Sequence, residues 1–329
     1  MITTEVQPQE KHFETVPTVS VIIPAYNVAE YIGEALDSVF AQTFTSHEAI
    51  VINDGSPDTD DLERKLKKYT NGIRYIKQEN RGAAAARNAG LRVAKGEFVA
   101  FLDADDRWRP TFLEEQLAFL KSSNADLVYS DALLFGESPY NRRSFMEVAP
   151  SLGAVTPENL LAVTVTVLTS AVLARKRPIL EVGLFDERMK RGHDFDLWLR
   201  LAKRGVAITY QCKVLCEHRI VESGLSGNMK SQLKRTLDVL EAIKTREVLT
   251  ASEDAALHVN WNRALMELAV ENGKEKLLAR DFDGALYYFS EAKKFRWNWK
   301  LTLVSLGVRI APEMLWRFYS RRNGATTSG

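Results

Sequence analysis

The sequence predicts an α/β fold with a doubly wound, mainly parallel central sheet, followed by an all-α C-terminal extension. Three observations carry that prediction. Apolar, β-branched runs alternate strictly with segments of helical spacing through the first hundred residues. Unusual polar clusters follow those runs rather than precede them, as ligand-binding loops do at the carboxyl ends of parallel strands. From about Lys230 onward only helical periodicity remains.

The first strand is Val19-Ser20-Val21-Ile22-Ile23-Pro24, a continuous run suited to burial on both sheet faces. Residues 1–16 lack the basic and apolar regions of a signal peptide and are expected to be a disordered lead-in. Ala25-Tyr26-Asn27 turns the chain into a helix over Tyr31 to Phe40. A second strand, Ala49-Ile50-Val51-Ile52, ends in Asn53-Asp54-Gly55-Ser56, and Leu62 to Tyr69 supplies its helix. Ile73-Arg74-Tyr75-Ile76 forms a third strand that ends in Gln78-Glu79-Asn80-Arg81-Gly82. The alanine-rich helix Ala83 to Leu91 leads to a fourth strand, Glu97 to Leu102. A helix over Thr111 to Leu120 and a strand over Asp126 to Ser130 follow. Residues 136–158, rich in Gly, Pro, Ser, Asn and Arg, read as a mobile loop, and Thr164 to Ala174 contains a further strand.

The fourth strand is abruptly capped by Asp103, Asp105 and Asp106. Carboxylates gathered at a strand tip share their charge with a divalent cation, or they cap the next helix, with Asp106 as the N-cap. Position decides between these: Asp103 and Asp105 lie at the same sheet edge as the other polar clusters, which favours a ligand site. Farther on, Gly192-His193-Asp194-Phe195-Asp196-Leu197-Trp198 opens a helix whose apolar face includes Leu197, Trp198 and Leu201. Asp194 in its first turn is favoured by the helix dipole, whether as a cap or as a functional carboxylate. GxGxxG and the GxxxxGK[ST] loop are absent, so dinucleotide and P-loop chemistry are disfavoured.

Composition narrows the class further. With 45% hydrophobic residues and a formal net charge of +1, the chain reads as an ordinary well-packed protein with no support for nucleic acid as its partner. Cys212 and Cys216 stand alone at CxxxC spacing, too few for a zinc site or a disulfide framework, and are expected to be reduced and buried. The apolar stretch from Leu160 to Ala174 is interrupted by hydroxyls and falls short of the roughly 20 residues that span a bilayer.

Five motifs occur in order: Val19 to Asn27, Asn53-Asp54-Gly55-Ser56, Asn80-Arg81-Gly82 with Ala86-Arg87-Asn88-Ala89-Gly90, Asp103-Ala104-Asp105-Asp106, and Gly192 to Trp198. Together they resemble the family 2 glycosyltransferases, over about residues 17 to 230. The resemblance implies a Rossmann-like glycosyltransferase A domain over 17–229; the helical periodicity beyond it gives a helical subdomain over 230–322, with a disordered tail expected over 323–329. It implies inverting, metal-dependent transfer of a hexosyl or N-acetylhexosaminyl group from a nucleotide-diphosphate sugar, a UDP-sugar first. The acceptor would be a hydroxyl of a glycan, lipid-linked or protein partner in the making of a cell-envelope polysaccharide, with the enzyme cytoplasmic or peripheral on the inner membrane face.

Carried over by position, Pro24, Tyr26 and Asp54 would hold base and ribose, and Asn80 and Arg87 the nucleotide and diphosphate. Asp103 and Asp105 match the family's DXD motif, with Asp105 the more direct ligand of Mn²⁺ or Mg²⁺ and Asp103 nearer the ribose. Asp194 matches the catalytic base. His193 stands where the family often has Glu; it orients Asp194, touches the acceptor or is a solvated loop residue. Trp198 is placed with it on the acceptor side. In the segment Glu217-His218-Arg219-Ile220 and Gly224-Leu225-Ser226, a His common a few residues later is Val221 here. His218 is the substitute metal or phosphate contact, or a structural residue, and Arg219 suits bidentate phosphate recognition. A sugar nucleotidyltransferase is set aside because Pro24-Ala25-Tyr26-Asn27 stands where its glycine- and arginine-rich loop belongs. A catalytically silent binding or scaffold protein remains the alternative from another class.

In the C-terminal hundred residues, Leu277 to Ala292 looks like a helix-turn-helix of tetratricopeptide type, which needs neighbouring helices to bury its apolar face. Beyond it, Trp297, Trp299, Leu303, Leu306, Ile310, Leu315, Trp316 and Phe318 lie among Lys300, Arg309, Arg317, Arg321 and Arg322. That alternation suits peripheral contact with a membrane over residues 296–322, core packing, or a homo-oligomer interface.

Overall fold

The computed structural model describes residues 16–137, 140–221, 229–295 and 299–322. The chain divides into two compact units, 1–224 and 225–329. The expected lead-in (apart from Val16), the tail from Asn323, Gly224-Leu225-Ser226 and Trp297 all lie outside the described residues.

The first unit begins β1 (Val19–Ala25), α1 (Ile32–Phe40), β2 (His47–Asp54), α2 (Thr59–Leu66), β3 (Ile73–Gln78), α3 (Ala83–Val93) and β4 (Phe98–Phe101). It continues with β5 (Arg107–Trp108), α4 (Phe112–Ser122), β6 (Leu127–Gly136), α5 (Phe145–Val148), α6 (Pro157–Leu161), β7 (Val172–Arg175), α7 (Lys176–Glu181), α8 (His193–Lys203) and β8 (Ile208–Ile220). One eight-stranded sheet has the order β3-β2-β1-β4-β7-β6-β8-β5. The first four strands, β1 to β4, are parallel, with Ile22 opposite both Ile50 and Phe101. Their carboxyl ends therefore form one edge, where the polar clusters gather. β7 runs antiparallel to β4 and to β6, while β6 and β8 are parallel. The sheet is mixed and mostly parallel.

Its two faces carry separate cores. One gathers Val21, Ile23, Val51, Leu36, Phe112 and Leu117; the other gathers Ile22, Ile52, Phe101, Tyr129, Phe185 and Trp198. Alternation along β1 distributes its side chains between them, as strand geometry requires. Gly90 explains how closely α3 approaches: a Cβ there would lie 2.6 Å from Ile22 Cγ2 and 3.0 Å from Ile52 Cδ1.

Three expectations need correction. Residues 136–158 are not a featureless loop, because Ser144 and Thr156 cap two short helices with their hydroxyls. Asp106 does not cap α4; Thr111 stands at that position and Asp106 turns inward. Cys216 is buried, but Cys212 is exposed on β8.

The second unit contains α9 (Met229–Arg246), α10 (Ala251–Leu278), α11 (Phe282–Phe295), α12 (Trp299–Ile310) and α13 (Pro312–Arg322). Thr250 and Glu253 form a reciprocal capping box at the start of α10. Phe289 rests on Gly273, where a Cβ would come within 2.5 Å of its ring, so α10 and α11 pack closely. Leu277, Ala285, Phe289, Leu301 and Val308 make the core of this unit. Among the described residues, no helix is long and apolar enough to cross a membrane.

Candidate active site

The Asn53-Asp54-Gly55-Ser56 motif is a splice between loops. Asn53, fully buried at the end of β2, accepts a hydrogen bond from Ser56 N (2.9 Å) and donates to Thr59 Oγ1 and Tyr75 Oη. The Ser56 hydroxyl accepts from Asn27 N at 2.6 Å and donates to Asp58, whose other oxygen accepts from Ala29 N. These bonds hold the turn after β1, where Asn27 has φ 54° and Tyr26 projects half-exposed beside Pro24. Gly55, at φ 62°, leaves room for the Asn80 backbone nitrogen, which would sit 2.5 Å from a Cβ.

Asp54 is buried, and its carboxylate receives Gln78 Nε2 (2.7 Å), Arg81 N (3.0 Å) and Gly82 N (2.7 Å). It thereby fixes the loop that opens α3, satisfying backbone donors that a helix start leaves free. Asn80 is exposed, its own Oδ1 accepting from Gly82 N.

Around Arg87 a closed ring of contacts joins four elements. Arg87 Nη2 donates to Asp103 Oδ1 at 2.5 Å, and Nη1 donates to His193 Nε2 at 3.0 Å. His193 Nδ1 lies 3.9 Å from Asp194 Oδ1. Asp194 Oδ2 accepts from Thr169 Oγ1, and the neighbouring Ser170 hydroxyl accepts from Asp103 N, which closes the ring. Phe195 N donates to Asp194 Oδ1 at 2.8 Å. Burial and the Arg87 charge hold His193 below its ordinary pKa, against the opposing pull of Asp194, Asp103 and Asp196. A neutral imidazole that accepts through Nε2 carries its proton on Nδ1, the nitrogen nearer Asp194. Asp194 keeps a 38% exposed side chain, so its carboxylate is oriented yet reachable.

A second acidic group lies beside this ring. Asp106 is fully buried and accepts from His218 Nδ1 with both oxygens at 3.0 Å and from Arg219 N at 2.8 Å. Burial disfavours the His218 imidazolium, but Asp106, Asp103 and Asp105 outweigh it and push its pKa up to about 9. His218 thereby pairs with Asp106 as a partly buried counter-ion. Arg219 donates to Asp105 O and to Glu34, with its guanidinium between Tyr31 and Phe135. For Asp105 the balance goes the other way: burial, then Asp106 and Asp103, outweigh a backbone hydrogen bond and the His218 charge and push it up to about 7.

Trp198 does not line an acceptor surface. It is 2% exposed in the core against Phe101 and Phe185. Its indole nitrogen, Arg87 Nε and His193 Nδ1 are buried donors without a protein partner among the described residues.

The clamp holding this geometry escaped sequence reasoning. Asn88, 1% exposed, donates to Phe185 O (2.8 Å) and accepts from Phe185 N (3.0 Å), tying α3 to the segment before α8. Glu187 binds Asn88, Arg92 and Arg81 at once. Asp196 and Arg200 pair across one turn of α8, and Arg200 also donates to Val182 O and Leu184 O. Asn88 stood within a quoted motif and Glu187 did not, and nothing in their spacing revealed that they meet.

The Glycosyl transferase family 2 profile matches residues 20–182. An uncharacterized glycosyltransferase of Rickettsia prowazekii is 32% identical over 264 residues, covering 77% of this chain and 79% of that protein. The chain belongs to the family 2 glycosyltransferases. A UDP-Glc:alpha-D-GlcNAc-diphosphoundecaprenol beta-1,3-glucosyltransferase of Escherichia coli is 30% identical over 225 residues, 68% of this chain and 85% of that one. The solved mannosyltransferase of Pyrobaculum calidifontis, in complex with GDP-Man and Mn²⁺, superposes with a TM-score of 0.62 at 18% identity, over 94% of this chain and 84% of its own. That likeness shares the fold.

Proposed function

We propose that this glycosyltransferase performs inverting, metal-dependent transfer from a UDP-sugar to a hydroxyl of a glycan, lipid-linked or protein acceptor, with Asp194 as general base. The observation that carries this reading is the ring through Asp103, Arg87, His193 and Asp194, with Asp194 held by Thr169 yet open to a partner. The E. coli relative, which by its name takes UDP-Glc and an undecaprenol-linked acceptor, supports this donor and acceptor class.

Displacement at an anomeric carbon needs a proton taken from the incoming hydroxyl and charge neutralised on the departing diphosphate. Asp194 is aimed by the hydrogen bonds from Thr169 and Phe195 N and stands beside the imidazole of His193. In-line attack from the face opposite the leaving group inverts the centre. Arg87 faces the diphosphate, while Tyr26 and Pro24 lie at the base and ribose end with Asp54 and Asn80.

The acidic tip fits a divalent cation shared with phosphates. Asp103 is bonded to Arg87 and Asp106 is fully engaged, which leaves Asp105 as the carboxylate whose charge is least compensated. No group of three metal-ligating side chains forms among the described residues. One or two carboxylates plus substrate phosphates is the manner in which Mg²⁺ is held, so Asp105, with Asp103, would bind Mn²⁺ or Mg²⁺ together with the diphosphate. The bound ion supplies Lewis-acid stabilisation of the leaving group.

The test is Asp194→Asn. Turnover is expected to fall by about 10²–10⁴-fold while UDP still raises the melting temperature as in the parent protein. Unchanged turnover would falsify the base assignment.

A further inference from the structure

The helices of the second unit divide the C-terminal aromatic and apolar residues into two sets. Leu301, Val304, Val308, Leu315 and Tyr319 pack into the core. Trp299, Leu303, Leu306 and Ile310 on α12, with Met314 and Phe318 on α13, are each half or more exposed. At about 100° per residue, the four on α12 fall within an arc of about 60° and extend about 16 Å along the axis. Lys300 and Arg309 lie about 90° to either side of that stripe, and Leu301 and Val308 oppose it. On α13, Met314 and Phe318 share one side with Arg317 next to them, and the acidic Glu313 is paired with Arg280.

An exposed apolar stripe flanked by cations on both sides is the design of a helix lying in a bilayer interface. Its apolar side chains enter the acyl boundary and its long basic side chains reach back to headgroups. The 4-3-4 spacing of the stripe also suits a helix-pair seam. Such a seam, however, carries opposite charges on its flanks, whereas Lys300 and Arg309 have the same sign.

We propose that α12 and α13 seat the protein on an anionic membrane surface, with Trp299, Leu303, Leu306 and Ile310 inserted and Lys300, Arg309 and Arg317 meeting lipid phosphates. This gives residues to a peripheral contact that suits a lipid-linked acceptor. It is read by binding rather than turnover, so its failure leaves the transfer chemistry standing.

The full chain is floated with phosphatidylglycerol–phosphatidylcholine vesicles and with pure phosphatidylcholine vesicles, at low and high salt. The parent protein is expected to float with the anionic vesicles, less so at high salt. Leu306→Glu with Ile310→Glu should lower the apparent partition coefficient by about tenfold or more, and Lys300→Gln with Arg309→Gln by severalfold on anionic vesicles. Both variants should keep the parent melting temperature, because the side chains are exposed. Absence of flotation by the parent protein, or equal flotation by the apolar variant, overturns the proposal. So does a parent dimer in light scattering that the apolar variant converts to monomer, which would assign the stripe to a second copy.

Discussion

Replacing Asn88 with alanine removes the clamp between α3 and the segment leading to Asp194 and touches no group assigned to substrate. In the parent protein the amide closes a two-way bond with the backbone of Phe185, a residue only 2% exposed. Asn88→Ala leaves one buried N–H and one buried C=O without partners, each costing roughly 1–3 kcal/mol; with partial relaxation the sum is about 3 kcal/mol. For a unit of about 200 residues, 1 kcal/mol moves the melting temperature by about 2–4 °C, so a fall of roughly 6–12 °C is expected. Activity should fall as well. Arg87 precedes Asn88 on α3, and His193 and Asp194 follow Phe185, so kcat should drop about ten- to hundredfold through misplacement alone. Differential scanning fluorimetry and a coupled UDP-release assay measure both effects. The control is Arg177→Ala, which removes an exposed pair with Glu181 and should leave the melting temperature and kcat at the parent values. A melting temperature within 2 °C of the parent value, with kcat unchanged, would refute the clamp.

Glu187 is held below the ordinary carboxylate range by its bond with Asn88 and the charges of Arg92 and Arg81, burial opposing them. Its contribution to stability is therefore present above about pH 4.5 and lost as pH falls through its lowered folded value. Urea denaturation from pH 6 to pH 3 should show a flatter acid limb in Glu187→Gln, and parallel curves would discount the hub. Gly55→Ala forces a side chain onto φ 62° and against Asn80 N; a loss of about 1–3 kcal/mol and weaker UDP binding by calorimetry are expected. Removing divalent ions with a chelator should reduce the thermal protection given by UDP, and Asp105→Asn should abolish that metal-dependent increment. Protection that ignores both changes would count against a shared cation.

The four parallel strands were legible because β-branched runs such as Val19 to Ile23 and Ala49 to Ile52 are buried on both faces and suit no other element. Their order also placed Asp54, Arg87 and Asp103 at one edge. Strand direction is not written in composition, so β7 could not be read as antiparallel. β8 escaped notice because Lys213 and Glu217 interrupt its apolar pattern; it lies toward the sheet's margin, where only Ile208, Leu215 and Cys216 of its residues are buried. For Trp198 the helical spacing, which put it on the apolar face with Leu197 and Leu201, was the better guide, and the acceptor-side placement carried over with the resemblance was not. Asp106 and His218 are 112 positions apart, and only folding reveals that each satisfies the other.

Arg87 divides one guanidinium between a carboxylate from β4's tip and an imidazole at the start of α8. A single cation shared in this way, through Nη2 on one side and Nη1 on the other, links the two half-sites through one side chain. A diphosphate that recruited Arg87 would loosen both partners, freeing His193 to rotate toward Asp194. Thermodynamic reciprocity then works in the other direction: an acceptor that reorients the base must change donor affinity by the same factor.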